Sequence, residues 1–378
     1  GHDLRSPTRA RMKRQQALES MTEFVPYQGS TVSFLEDLSV RHPIVQAPMA
    51  GATTPALAAA VSEAGALGSL GLGAASPEKA REEIEGVRAL TDRAFNVNFF
   101  CHASPASDAE TRRAWLAHLA PYFQAQGAAV PDDLANIYQP INDNPAMQAV
   151  ILETRPPVVS FHFGVPSAAL VDGIHDYGGQ VWICVTTPGE AAQAVDGGAD
   201  ALIAQGVEAG GHRGNFEAEN DAEFGLVALL RILKHTYSLP IIAAGGLMDG
   251  VAIRGVLSLG AAAAQLGTAF VACPESAAAP AYRDALRMGQ ATEITQAISG
   301  RPARGLIGPF QSDIAPGAPW VPDYPLAYDA AKQLHAAAKA NGDHRYAPNW
   351  AGQGVALSRE LAAGDLVLAL VDEMISPS

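Results

Sequence analysis

The chain has 378 residues, of which 48% are hydrophobic and 17% charged, and its formal net charge is −14. That balance describes a soluble globular protein with a sizeable core. It argues against sequence-independent binding to nucleic acid or acidic membranes, which needs a basic face.

Residues 1–20 are basic and lack an apolar period, so they read as a tag or disordered extension ahead of Met21. They contain no apolar segment of the signal-peptide kind, and no run further on is long enough to span a bilayer. Eight short apolar runs follow, at 44–47, 67–70, 95–99, 158–163, 181–185, 201–205, 241–244 and 264–267. Each is bounded by Gly, Pro or polar residues, the pattern of strands buried on both faces. Helical patterns lie between them at 55–64, 78–90, 108–126, 167–177, 188–197, 224–235 and 249–259, with Ser76-Pro77 as one clear start signal. Repeated strand–helix units imply right-handed parallel crossovers. The expected fold is therefore α/β, a TIM (β/α)8 barrel over 21–272. The runner-up is an open doubly wound sheet, which lacks its G-x-G-x-x-G turn here.

Two segments break the rhythm. Residues 126–157 are expected as an insertion over the mouth. Residues 273–353 are expected as a cap for substrate, with helices at 282–288, 292–299 and 326–340. A last helix, from Gly354 on (354–378), is expected to pack on the barrel. The cysteines, Cys101, Cys184 and Cys273, form no CxxC pair, so neither a disulfide frame nor a zinc site is indicated. A reducing cytoplasm is the simplest reading.

A closed parallel barrel gathers its strand ends at one mouth. Gly245-Gly246 and Gly267-Thr268 end the last two strands, where barrels commonly bind phosphate through backbone N–H groups. Either pair alone is equally a tight turn. Asn98, Gln205 and Gln265 are amides near strand ends, able to match the donors and acceptors along the edge of a flat heterocycle. Ala47-Pro48-Met49 offers a small rigid surface for such a ring, although Met49 alone reads as core filler.

His162 lies in Ser160-Phe-His-Phe-Gly164 and points inward if both phenylalanines point outward. A lone core histidine is as often structural. His212 follows Gly210-Gly211 on the sixth strand's loop. Tyr324, Tyr328 and Lys332 recur every four residues, placing them on one helical face as a grip for a small anion or as an ordinary amphipathic surface. No His/Asp/Glu spacing suggests a metal, and no G-x-S-x-G elbow occurs.

Together Gln46-Ala-Pro-Met-Ala-Gly51, Ser160-Phe-His-Phe-Gly164, Gln205 through His212, Ala243-Ala-Gly-Gly246, Gln265-Leu-Gly-Thr268 and Trp350-Ala-Gly-Gln353 resemble the nitronate monooxygenases (2-nitropropane dioxygenases), class I. The match runs from about Phe34 to the end. One departure is Ala66, where the family commonly has a second Gly.

The resemblance implies FMN held by Ala47, Pro48, Met49, Asn98, Gln205, Gly210, Gly211, Gly245, Gly246, Gln265, Leu266, Gly267 and Thr268. It implies His162 as the catalytic histidine, with His212, Tyr138, Tyr282, Tyr324, Tyr328 and Lys332 around the substrate. The implied activity is detoxifying oxidation of alkyl nitronates, notably propionate 3-nitronate, by O2. A flavin semiquinone is the implied route, and a carbonyl compound and nitrite or nitrate are the products. The implied partners are a small anionic substrate and O2, with the chain a monomer or homodimer. Rival readings are an FMN-dependent enoyl reductase using NAD(P)H, a non-catalytic flavin-binding protein, and a sugar-phosphate barrel without flavin.

Overall fold

A computed structural model describes residues 33–289 and 291–376. The expectation for residues 1–20 lies outside that range. Eight parallel strands form the centre: β1 (Ile44–Gln46), β2 (Gly68–Gly71), β3 (Phe95–Phe100), β4 (Val158–His162), β5 (Gln180–Val185), β6 (Ala201–Gln205), β8 (Ile241–Ala244) and β9 (Ala263–Leu266). Their order is β1-β9-β8-β6-β5-β4-β3-β2. The ring closes between β1 and β2, where the Leu67 N–H donates to Ile44 O and the Gln46 N–H to Leu67 O, both at 2.9 Å. The Gln46 side chain adds a third link by accepting from the Ser69 N–H at 2.8 Å. The chain is thus a (β/α)8 barrel.

Side chains alternate along each strand. Val45, Trp182, Cys184, Ile203 and Ile242 fill the lower barrel interior, plugged by Phe34, whose ring lies 5.8 Å from Trp182. Their neighbours Ile44, Val97, Phe161, Ile183, Leu202 and Ile241 pack outward against the helices. Ser69, Asn96, Asn98, Ser160, Gln205 and Gln265 are buried polar residues on the inward phase. Gly68 has no room for a side chain, because a Cβ there would run into the Ala58 carbonyl of α2 (Pro55–Glu63).

Helix starts follow local chemistry. Thr54, Ser76, Asn144 and Thr187 each accept from the N–H three residues on, and each precedes a proline. These caps begin α2, α3 (Pro77–Leu90), α5 (Pro145–Thr154) and α7 (Pro188–Asp196). α5 occupies the barrel position between α3 and α6 (Ala168–Asp176). The helix expected there, α4 (Ala109–Ala125), leaves the barrel and packs on α12 (Leu326–Ala340). Trp115, Leu119 and Phe123 of α4 share a second core with Phe310, Ile314 and Leu334. So the excursion from the barrel precedes α5 rather than filling 126–157. Periodicity gives α4 a buried face but does not say which partner buries it.

The remaining helices are α1 (Ser33–Glu36), α8 (Leu226–Thr236), α9 (Gly250–Ser258), α10 (Thr268–Val271), α11 (Pro280–Met288) and α13 (Ala363–Ile375). The helix expected at 292–299 is instead β10 (Thr292–Thr295), antiparallel to β11 (Ala303–Leu306). β11 pairs in turn with β7 (Gly211–His212). β-Branched Thr292, Ile294 and Thr295 favour that outcome. The last helix starts at Ala363, not near 354, where Val355–Leu357 forms a single 3-10 turn; α13 packs against α9 and α2. Among the described residues no helix is long and apolar enough to cross a membrane.

Leu334→Ala is expected to cost about 2–5 kcal/mol through its cavity. Hydrogen exchange should then accelerate in α4 and α12 while the barrel strands stay protected. Equal acceleration in β3–β6 would show that the second core is not a separable unit.

Candidate active site

The strand ends open into a cavity of about 690 Å³. From the barrel come Ala47, Pro48 and Met49 after β1, Asn98 on β3, His162 on β4, Gln205 on β6 and Gln265 on β9. Gly210, Gly211, His212, Gly245, Gly246, Gly267 and Thr268 line it from the loops. Tyr138, Tyr282, Tyr324, Tyr328 and Lys332 complete it from above. Leu266 is the exception. It is next in the strand alternation after Gln265, so its side chain packs outward in the core.

Two glycine requirements are specific. Gly245 and Gly246 have φ of +126° and +70°, which L side chains rarely adopt. A Cβ on Gly210 would collide with Ala351 and Gly352. That close approach seats the 350–353 segment at the mouth. The Gly352 N–H donates to Thr268 Oγ1 at 3.0 Å, and the Gln353 N–H to Glu208 O at 2.9 Å.

The three amides have different roles. Gln205 is occupied by its own loop: Nε2 donates to His212 O at 3.0 Å, while Oε1 accepts from Arg213 Nη1 at 3.0 Å and the Gly214 N–H at 2.8 Å. Asn98 Nδ2 donates to Ser160 Oγ at 2.9 Å and to His162 Nδ1 at 3.1 Å. Gln265 Oε1 is buried with no partner among the described residues. An unpaired buried carbonyl oxygen at a cavity wall is a place for a ligand donor.

Because His162 Nδ1 accepts, its ring proton sits on Nε2. Burial, then the nearby Arg301 cation, pulls the His162 pKa down to about 4. The His212 Nε2–H donates to Ser299 Oγ at 2.8 Å, since that hydroxyl donates onward to Arg301 O at 3.2 Å. Burial, followed by Arg301 and His162, pulls His212 down to about 3. Both imidazoles are neutral at pH 7.

Phe163 and Arg301 were not expected here. Only Phe161 packs outward. Phe163 takes φ +70° where the strand ends, and its ring sits 6.0 Å from His162, 5.8 Å from His212 and 5.5 Å from Tyr324. Arg301 stacks 4.4 Å from the Phe163 ring centroid, and Nη2 donates to the Asn215 and Phe216 carbonyls. Burial lowers its pKa to about 10. No local sequence signal marks Arg301, because its turn is brought over the barrel by the β10–β11–β7 sheet.

Tyr324 precedes α12 instead of lying on it, so the four-residue period holds only for Tyr328 and Lys332. Tyr324 still reaches the same space, 6.2 Å from Tyr138 and 5.6 Å from His212. Lys332 Nζ lies 4.8 Å from the Tyr328 ring centroid and 5.6 Å from that of Tyr138. Tyr282 donates its hydroxyl to Trp350 O. Burial raises the Tyr138 phenol to about 12 and also raises Tyr324 and Tyr328, so all three are neutral donors at pH 7. Among the described residues no His/Cys/Asp/Glu group could hold a metal ion.

The family model for nitronate monooxygenase matches residues 32–373. The chain belongs to the nitronate monooxygenase family, and with it to the oxidoreductases. It is 51% identical to the nitronate monooxygenase of Pseudomonas aeruginosa, over 91% of this chain and 99% of that one. It is 50% identical to that of Paraburkholderia phytofirmans, over 89% and 93%. Among solved structures it resembles nitroalkane oxidase from Streptomyces ansochromogenes, with TM-score 0.82 and 41% identity over 90% of this chain and 97% of that one. FabK from Thermotoga maritima is more distant, with TM-score 0.68 and 30% identity over 91% and 95%.

A free imidazole titrates near about 6.5. The lowered pKa of His102 (about 4, through burial), His162 and His212 means the unfolded chain takes up protons first as pH falls. Their contribution to stability is fully present above about 6.5 and is lost on acidification toward 4. Denaturant unfolding at pH 7.0, 5.5 and 4.5 should show falling stability. A flat profile would mean these rings are not held neutral.

Proposed function

We propose that the cavity binds FMN and oxidises alkyl nitronates, propionate 3-nitronate foremost, with O2 as electron acceptor. The observation that carries the cofactor assignment is the orphaned Gln265 Oε1, placed beside two glycine turns that leave backbone approachable. A flat heterocycle with an N–H on its edge supplies the missing donor, and a phosphate suits the exposed backbone of Gly245-Gly246 and Gly267-Thr268. Ala47, Pro48, Met49, Asn98, Gly210, Gly211 and Gln265 would hold the ring. Thr268, whose oxygen already accepts from Gly352, keeps its hydroxyl proton to donate. Bound FMN would accept the electrons that leave the nitronate.

The other residues lining the cavity would do the rest. A nitronate arrives already deprotonated, so a strong base is not required. His162, neutral with its proton on Nε2, would donate a hydrogen bond to a nitronate oxygen and orient it. Asn98 fixes that tautomer. The neutral phenols of Tyr138, Tyr324 and Tyr328 add donors, and Lys332 supplies the charge that favours a second anionic group on the substrate. Residues from α4 and from 273–353 form the cap that excludes bulk water.

The purified protein should show a flavin absorption spectrum and consume oxygen with propionate 3-nitronate. His162→Asn should retain FMN and lose about 100-fold in kcat; loss of flavin instead would move His162 to the cofactor. Gln265→Leu should weaken FMN about tenfold in equilibrium dialysis. Lys332→Met should lower the ratio of activity on propionate 3-nitronate to that on a neutral-tailed nitronate. Rapid anaerobic bleaching by NADPH, with no oxygen uptake on any nitronate, would favour the enoyl reductase reading.

A further inference from the structure

The cavity extends past Lys332 along α12, where His335, Lys339 and His344 also line it. Positions 332, 335 and 339 lie on one helical face, and His344 follows just after the helix ends. Lys339 stands about 10 Å from Lys332 along the axis. Neither lysine has a carboxylate partner among the described residues. Asp329, one turn before Lys332, is turned away and accepts from the Ala135 N–H at 2.8 Å. Among the described residues Glu83 is the only carboxylate in the cavity lining, and it sits 3.8 Å from Lys79. His335 Nδ1 is buried and unpartnered. The chain as a whole carries −14.

Two lysines without carboxylate partners and two imidazoles thus stand in one file along the cavity of an acidic molecule. A three-carbon substrate held at Lys332 does not extend 10 Å further out, so Lys339 and His344 are placed to meet the substrate before it binds. We propose that Lys332 and Lys339, with His335 and His344 beside them, form an entrance track whose lysine charge captures substrates bearing a second anionic group and delivers them to the tyrosine pocket. This rests on the proposed oxidation of anionic nitronates. At physiological salt, charges beyond about 8 Å are largely screened. The remote acidic surface then repels weakly, while the track acts at close range.

The test uses the flavin-loaded full chain. Oxygen uptake is measured with propionate 3-nitronate and with propyl 1-nitronate across ionic strength. Binding of glutarate, a dianion without a nitronate, is measured by calorimetry. Lys339→Glu should lower kcat/KM for propionate 3-nitronate about fivefold at low salt, and about twofold for propyl 1-nitronate. It should weaken glutarate to a similar degree and flatten the salt dependence. Lys234→Glu, on α8 outside the cavity, makes the same change in net charge and should stay within twofold of wild type. If Lys339→Glu matches Lys234→Glu in all three measurements, the track is overturned even with nitronate oxidation intact. If neither nitronate is oxidised but Lys339→Glu alone weakens glutarate, the track stands and the oxidation reading falls.

Discussion

Closure of the strand ring between β1 and β2 is the constraint on which the rest depends. It is made by the paired backbone groups of Ile44, Gln46 and Leu67, with the Gln46 amide bridging to Ser69. The strands are parallel and so end on one side, and closure gathers those ends around one mouth. Residues as distant as Met49, Asn98, His162, Gln265 and Thr268 then share one cavity. An open sheet of the same strands would leave the 46–51 and 265–268 segments at a crevice or an edge, apart from the others.

Polarity inside the barrel is graded along the strands. The lower interior is filled by Phe34, Trp182 and aliphatic residues, and the upper interior by amides and hydroxyls. Buried polar groups are costly unless paired. Most of these pair with each other, as Asn98 does with Ser160 and His162. Gln265 Oε1 is a buried exception at the cavity wall.

The electrostatics above the mouth separate two kinds of group. His162 and His212 are held neutral by burial and by Arg301, and the phenols are held neutral by burial alone in Tyr138. Lys332 and Lys339 lie further along α12, with no carboxylate partner among the described residues. Under the proposed oxidation, the neutral donors would face the nitronate group and the lysine charge a second anionic group on the substrate.

The sequence by itself determined the eight strands, most barrel helices and, Leu266 apart, that the site residues it named share one cavity. Those signals are local: apolar runs, Ser/Thr/Asn–Pro caps, and glycines where φ must be positive. Asn144-Pro145 carried the same start signal for α5 as Thr54-Pro55 does for α2, although the rhythm of the chain favoured α4. Only the tertiary structure decided that α4 packs on α12, that 292–295 is a strand, that Tyr324 stands off the helix, and that Leu266 faces away. It alone placed Arg301 over Phe163 and the two histidines. A sequence pattern states that a face must be buried or a turn made; which distant segment meets that need is decided by packing in three dimensions.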